Sequence, residues 1–171
     1  MKIMIKKERF SLIELDDHYL YDYFIEFNDS ITQYQYLDPF DNEQSVKDYF
    51  DMSRYEQSLN YCLHYLIVDD KEFIGSLIVH NLQDDYPEIG IWIKSSRQKE
   101  GIGKEVINSL FDNLFNFYHK TEFVFSIDIR NTGSLSLLKY FDYQFAYHDQ
   151  LINETGKILE ADVFLVKKKN L

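Results

Sequence analysis

Three short apolar runs follow one another in the middle of the chain: "YCLHYLIV" (61–68), "EFIGSLIV" (72–79) and "EIGIWIK" (88–94). The third passes through "SSRQKEGIG" into a stretch where Val106, Ile107, Leu110, Phe111, Leu114, Phe115 and Tyr118 recur at helical spacing. Runs this short, rich in β-branched and aromatic residues, predict three consecutive strands, and the stripe after them predicts the strongest helix of the chain. "VDDKEF" reads as a hairpin turn and "HNLQDDYP" as a longer connection. A sheet with one apolar helix stripe arriving directly from a strand has to pack in layers, which sets the class as α/β with an antiparallel component.

The flanking segments extend this frame. "ERFSLIEL" predicts an opening strand, and Leu20, Tyr23, Phe24 and Phe27 predict a helix. Beyond Pro39, Asp41 with Gln44 reads as a capping box for a second helix carrying Val46, Tyr49 and Phe50. "EFVFSIDI" predicts another strand, "NTGSLSLLKYF" a short helix, "ADVFLVK" a closing strand, and "QFAYH" one more. The sum is six to seven strands and about four helices. No repeat or Gly/Ser linker interrupts them, and 171 residues at 45% hydrophobic content suit one core, so a single domain over residues 1–171 is expected.

Composition excludes several function classes. The formal charge is −11, and between Glu8 and Glu56 only Arg9, Lys47 and Arg54 oppose a recurrent run of acids. Such a surface argues against nucleic acid as a partner and favours cations. The lone Cys62 has no evident base and no internal disulfide partner, and the five histidines show no metal-ligand spacing, so no metal is expected. "MKIMIKKERF" is too short and too rich in lysine for a secretion signal, and no run reaches transmembrane length. The expectation is a cytoplasmic protein with no membrane partner.

Against that acidity, "SSRQKEGIGKEVINSLF" (95–111) stands out. A glycine turn opening a helix presents backbone N–H groups that lack intrahelical partners, and Gly101 and Gly103 remove side chains that would keep a phosphate away. Arg97, Lys99 and Lys104 are expected to add local positive charge. A dinucleotide fingerprint fails because its third glycine position is Val106. A nucleotide P-loop fails because Gly103-Lys104 is followed by Glu105 and preceded at the required spacing by Gln98. An ordinary strand-to-helix turn that uses glycine only for its geometry stays open.

Gln98, Gly101 and Gly103 follow the spacing QxxGxG, which resembles the acyl-CoA pyrophosphate loop of the GNAT N-acetyltransferases. The resemblance covers nearly the whole chain: "IVDDKEFIGSLIV" looks like the family's second hairpin, with Gly75 at the usual glycine, and "ERFSLIELDD" resembles the opening of the RimJ/RimL-like branch. It implies a GNAT fold whose mixed sheet splays between strands 4 and 5. It further implies acetyl-CoA held by Gln98, Lys99, Glu100, Gly101, Ile102, Gly103 and Lys104, by the backbone of Ile91, Trp92 and Ile93, and by Asn131. As residues read alone, the two isoleucines are core and Asn131 is a helix N-cap.

The same resemblance supplies catalytic candidates. Glu88, two residues before Gly90, matches a recurrent carboxylate and would accept the amine's proton; read alone it is a solvated strand-end acid. Asp128 is next in line. The family's tyrosine, seven residues after the asparagine, is Leu138 here, and Ser134, one turn earlier, matches a serine of the RimJ/RimL-like branch. Tyr140 should point elsewhere, turned about 200° around a helix from Leu138. The usual Gly-Phe that follows is Asp142-Tyr143. The implied function is direct acetyl transfer from acetyl-CoA to a primary amine, either a protein N-terminus or a small cationic amine whose alkyl part Tyr34 and Tyr36 would cover. A homodimer is compatible with this reading, and a non-catalytic acyl-CoA sensor or interaction module is its rival.

Overall fold

Strand alternation decides how the two faces of the sheet are filled. In the computed structural model, which describes residues 3–70 and 72–169, β3 (Leu63–Asp69) sends Leu63, Tyr65 and Ile67 to one face and Leu66 and Val68 to the other. The first face packs on α4 (Ile102–Tyr118), whose stripe buries Val106, Ile107, Leu110, Phe111 and Leu114. The second face packs on α1 (Leu20–Glu26), α2 (Asp29–Thr32) and α3 (Glu43–Ser58) through Tyr23, Ile31, Val46 and Phe50. Burial on both faces explains why β3 reads as a continuous apolar run.

Eight strands, not six to seven, form one mixed sheet among the described residues, in the order β1-β2-β3-β4-β5-β6-β8-β7. The added strand is β1 (Ile3–Lys6), which hairpins onto β2 (Ser11–Glu14). β4 (Glu72–His80) pairs antiparallel with β3, and Lys71, at the expected hairpin turn, lies outside the described residues. "QFAYH" is the interior of β7 (Asp142–Ile152), which pairs with β8 (Ile158–Lys167). The extra helix is α2, a single turn. The α3 cap also sits one residue later than expected: the Asn42 side chain accepts from the Ser45 N–H at 3.0 Å and Ser45 reciprocates, while Gln44 bonds Asp48.

The feature that positions the site is a divergence. β5 (Glu88–Ile93) and β6 (Glu122–Asp128) run parallel but share one paired position, Glu88 with Val124, where the Val124 N–H donates to the Pro87 carbonyl at 2.9 Å. Beyond it β5 stays with β4 and β6 with β8. The extra strand moves the splay expected between strands 4 and 5 to β5 and β6. On the β4 side the approach is too close for any side chain at Gly75, where a Cβ would lie 2.1 Å from the Trp92 carbonyl oxygen.

Candidate functional site

A cavity of about 480 Å³ opens where β5 and β6 part. One end is the turn into α4. Gly101 adopts φ +83°, a left-handed conformation suited to glycine, and Lys99 adopts φ +63° at a cost of about 1–2 kcal/mol for a residue with a Cβ. Side chains far away in sequence hold this shape. Arg9 donates to the Glu100 carbonyl at 3.0 Å and to the Glu105 carboxylate at 2.9 Å, and the Gln98 amide donates to the Ile93 carbonyl at 2.9 Å. Arg9 carried no sequence signal for this role; only the tertiary fold brings it to the loop.

Ile91, Trp92, Ile93, Gln98, Lys99, Gly101, Ile102, Gly103, Lys104, Asn131 and Ser134 all border this cavity. Glu100 does not; its carboxylate pairs with Arg97 and faces Arg9. Arg97 needs a correction. Its guanidinium, 17% exposed, is held by Asp69 at 3.1 Å, Glu72 at 2.5 Å and Glu100 at 3.1 Å, so its charge is already balanced. Neither glycine is crowded by the protein: a Cβ at Gly101 would meet nothing within 4 Å, and one at Gly103, whose backbone is ordinary, would touch only the Leu137 side chain at 3.6 Å.

Backbone parity along β5 separates the three residues expected to pair with a ligand. Pro87 turns its carbonyl toward β6, whereas the Lys94 N–H bonds the Ile74 carbonyl of β4 at 2.8 Å. Alternation then directs Ile91 and Ile93 into the cleft and the peptide groups of Trp92 toward β4. Trp92 contributes its ring to the wall instead. That ring packs edge-on to Tyr23 at 5.1 Å. Behind it His64, with no exposed surface, bonds Ser53 at 3.0 Å and Ser76 at 2.8 Å, and burial pushes its imidazole down to about 3. Burial also pushes the Cys62 thiol up to about 11, so it is no thiolate at neutral pH.

The cavity meets a second, smaller one, and Tyr34, Gln35, Ile91, Asn131 and Ser134 border both. α5 (Thr132–Leu137) is capped by Asn131, whose side-chain oxygen accepts from the Ser134 N–H at 3.0 Å. Asp128 lines the second cavity with a fully buried carboxylate, gripped by Arg130 at 2.8 and 2.7 Å, and the guanidinium holds it below the usual carboxylate range. Glu88 borders neither cavity; it sits at the vertex of the splay, behind Gly90 on the same strand face. Leu138 is buried in the core. Tyr140 points elsewhere, as expected: in the 3-10 turn over Leu138–Tyr140 its ring borders the large cavity, and it does not border the second one.

Tyr34 and Gln35 belong to a loop fastened from across the molecule. Asp38 accepts from Lys157 at 2.7 Å, Asn153 at 2.7 Å and Thr155 at 2.6 Å, while Lys157 also donates to the carbonyls of Thr32 and Leu37. The Lys157 ammonium, with Thr155 and Asn153, lowers the Asp38 carboxyl to about 2. Among the described residues no cluster of His, Cys, Asp or Glu could hold a metal ion, and no helix is long and apolar enough to cross a membrane.

Residues 9–144 match the family model described as an acetyltransferase (GNAT) domain. A search of curated protein sequences returns no match. Among solved structures, the fold resembles the Salmonella typhimurium acetyl transferase that modifies the N-terminal serine of 50S ribosomal subunit protein L7/L12. The TM-score is 0.83 at 13% identity, over 99% of this chain and 100% of that one. Mycobacterium smegmatis RimJ in complex with CoA-disulfide gives TM-score 0.82 at 18% identity, over 92% and 81%. Vibrio cholerae spermidine N-acetyltransferase in complex with CoA and spermine gives TM-score 0.77 at 14% identity, over 94% and 97%.

Proposed function

Because the chain belongs to the GNAT acetyltransferase family, we propose that it transfers acetyl from acetyl-CoA to a cationic primary amine, a protein N-terminus or a small amine, in the manner of the RimJ/RimL-like branch. The observation that carries this reading is the splay itself. One cavity runs from the glycine turn, along the edge of β5 at Ile91 and Ile93 that faces away from β4, to a junction with a second cavity at Asn131 and Ser134. A long thioester fits the first and an amine the second.

The pyrophosphate rests on the N–H groups at the start of α4, where the helix dipole adds favourable field. The pantetheine amides pair with Ile91 and Ile93 as an added strand would, and the Asn131 amide nitrogen, left over from capping, donates to the same arm. In the adjoining cavity the Asp128 carboxylate, its charge balanced by Arg130, can still accept a hydrogen bond from an ammonium. Three bonds from Arg130 occupy its oxygens and its basicity is depressed, so it positions the acceptor rather than taking the proton. The Glu88 carboxylate has no hydrogen-bond partner among the described residues and stands two residues, roughly 7 Å, along the strand from Gly90. It takes the amine's proton through water.

The freed amine nitrogen attacks the thioester carbonyl carbon, the carbon–sulfur bond breaks, and the Ser134 hydroxyl supplies a proton to the departing thiolate, to be reprotonated from solvent. Holding both reactants in one cleft supplies much of the acceleration. The test is an acceptor screen with radiolabelled acetyl-CoA. Label is expected on cationic amines, with turnover falling as salt rises because exposed charges are screened over about 8–10 Å. Preference for neutral or anionic acceptors without salt dependence contradicts the acceptor class, and no transfer to any amine contradicts the reaction.

A further inference from the structure

The carboxylate proposed as the base has an ionisable neighbour across the sheet. β4 and β5 pair antiparallel, with His80 directly opposite Glu88. The Lys94 N–H bond to the Ile74 carbonyl marks a narrow pair of this ladder, and narrow pairs recur at every second residue, through Ser76 with Trp92 and Ile78 with Gly90 to His80 with Glu88. Residues opposed in this way share one face of the sheet, with Cβ atoms about 5 Å apart. The imidazole of His80 and the carboxylate of Glu88 therefore stand side by side. On its other side Glu88 is separated from the second cavity by Gly90, which has no side chain to intervene.

His80 differs from the other histidines that touch the sheet. His64 is closed off between Ser53 and Ser76, and His148 is held between Asp162 and Glu160. His80 ends β4 at the surface, where its ring can exchange protons with solvent. Partial burial lowers its pKa from the ordinary value, and Glu88 from β5 and Glu56 from α3 offset part of that effect. His64, from β3, is neutral down to about pH 3 and adds no charge. His80 is thus neutral at pH 7 and gains its charge as the medium turns acid.

We infer that His80 is a positioning residue for the base: uncharged, it leaves the Glu88 carboxylate free to take the amine's proton, and protonated, it pairs with that carboxylate and withdraws it. The inference rests on the reading of Glu88 as the base given above. An imidazolium donates a charge-assisted hydrogen bond to a neighbouring carboxylate, which turns an oxygen away from the cleft and makes the carboxylate a weaker base. The ring takes its proton from solvent and returns it there, so none is drawn from the reacting atoms. For a pair at the surface a coupling of about three- to tenfold is expected. Linkage makes it reciprocal, so Glu88 strengthens proton binding at His80 by the factor by which protonated His80 weakens Glu88.

Two measurements on the intact protein test this. The first is an NMR titration of the His80 ring in wild type and in Glu88→Gln, where loss of the carboxylate should weaken proton binding at His80 about three- to tenfold. The second is kcat/KM for a cationic amine from pH 8 to 5 at saturating acetyl-CoA, in wild type and in His80→Gln, with circular dichroism confirming the fold at each pH. Protonation of the amine itself lowers the rate alike in both. Below the ordinary imidazole value of about 6.5 the wild type should show an added fall of about three- to tenfold that His80→Gln lacks. A purely structural role for His80 would instead change the rate by one factor at every pH. An unshifted His80 titration in Glu88→Gln, or the same ratio of rates at pH 7 and pH 5 in wild type and His80→Gln, overturns the inference and leaves Glu88 as the base. Full turnover of Glu88→Gln across the pH range removes the base reading and this role with it.

Discussion

The cleft has one wall made of backbone and another made of a loop tied down by side chains. On the cofactor side, the glycine turn, the first peptide groups of α4 and the edge of β5 present N–H and carbonyl groups whose positions follow from the packing of α4 on the sheet. On the side proposed for the acceptor, Tyr34 and Gln35 belong to the loop of Asp38, which Lys157, Asn153 and Thr155 hold from the far hairpin. A backbone-made wall resists most side-chain changes and fails only where a side chain is added. A clasped wall can be reshaped by single substitutions, so acceptor choice can drift while cofactor binding stays fixed.

The sharpest way to break this contrast is at Gly103. Gly103→Glu puts a carboxylate where a pyrophosphate would lie and is expected to weaken acetyl-CoA binding at least about 100-fold in a protein that keeps its unfolding midpoint. Gly103→Ala, whose Cβ meets only Leu137 at 3.6 Å, should stay within about threefold of wild type. Calorimetry decides both, and unchanged affinity in a folded Glu variant removes the cofactor wall from its assigned place.

The junction between the walls comes next. Glu88→Gln should lower kcat/KM about 10²-fold or more at neutral pH, with partial recovery at high pH where more free amine is present. Ser134→Ala should cost less, about tenfold at most, because a thiolate of pKa near 8.5 leaves tolerably unaided. Full turnover of Glu88→Gln across the pH range would transfer the proton to solvent or to Asp128.

Acid should undo the supports of the two walls in sequence. His64, behind Trp92, is neutral in the folded protein down to about pH 3 but titrates near 6.5 when unfolded. The unfolded chain therefore binds the extra proton first, and stability, full above pH 6.5, falls with pH by about 2 kcal/mol at pH 5. Asp38, with its folded pKa near 2 against an ordinary 3.8, contributes stability above 3.8 that is lost only as pH falls toward 2. Urea midpoints at pH 7, 5 and 3.5 should show the early loss in wild type, and a flat profile between pH 7 and 5 would refute the neutral-histidine account.

The smallest effect separates the walls most cleanly. Asp38→Ala releases the loop at a partly exposed clasp, so it should raise the acceptor KM about three- to tenfold while acetyl-CoA affinity changes less than about twofold. Equal changes in both constants would show that the two walls are one unit.

Much of the turn into α4 was legible in advance because its signals are local. Gln98, Gly101 and Gly103 report a strand-to-helix turn with exposed N–H groups, and the stripe from Val106 to Tyr118 reports the helix that follows. Some of the rest lay one step beyond local reading. The cap moved from Asp41 to Asn42 because either residue type can cap, and only the observed backbone shows which one takes the extended conformation. That Tyr140 and Leu138 point to different sides follows from helical spacing alone, whereas the cavity that Tyr140 borders is made by the fold.

The sequence by itself determined the layered class, the identity of the strands that matter, the polarity of the glycine turn and the overall charge, since these depend on neighbours within a few residues. Only the tertiary structure decided which partner each cation finds. Arg97 is balanced by Asp69 and Glu72 from another hairpin, whereas Lys104 and Lys139 meet over Tyr140. It also brought Arg9 to the loop and Lys157 to Asp38, 119 residues away. Coulombic and hydrogen-bonding partners are chosen by distance in space, which the fold sets and the order of residues alone does not.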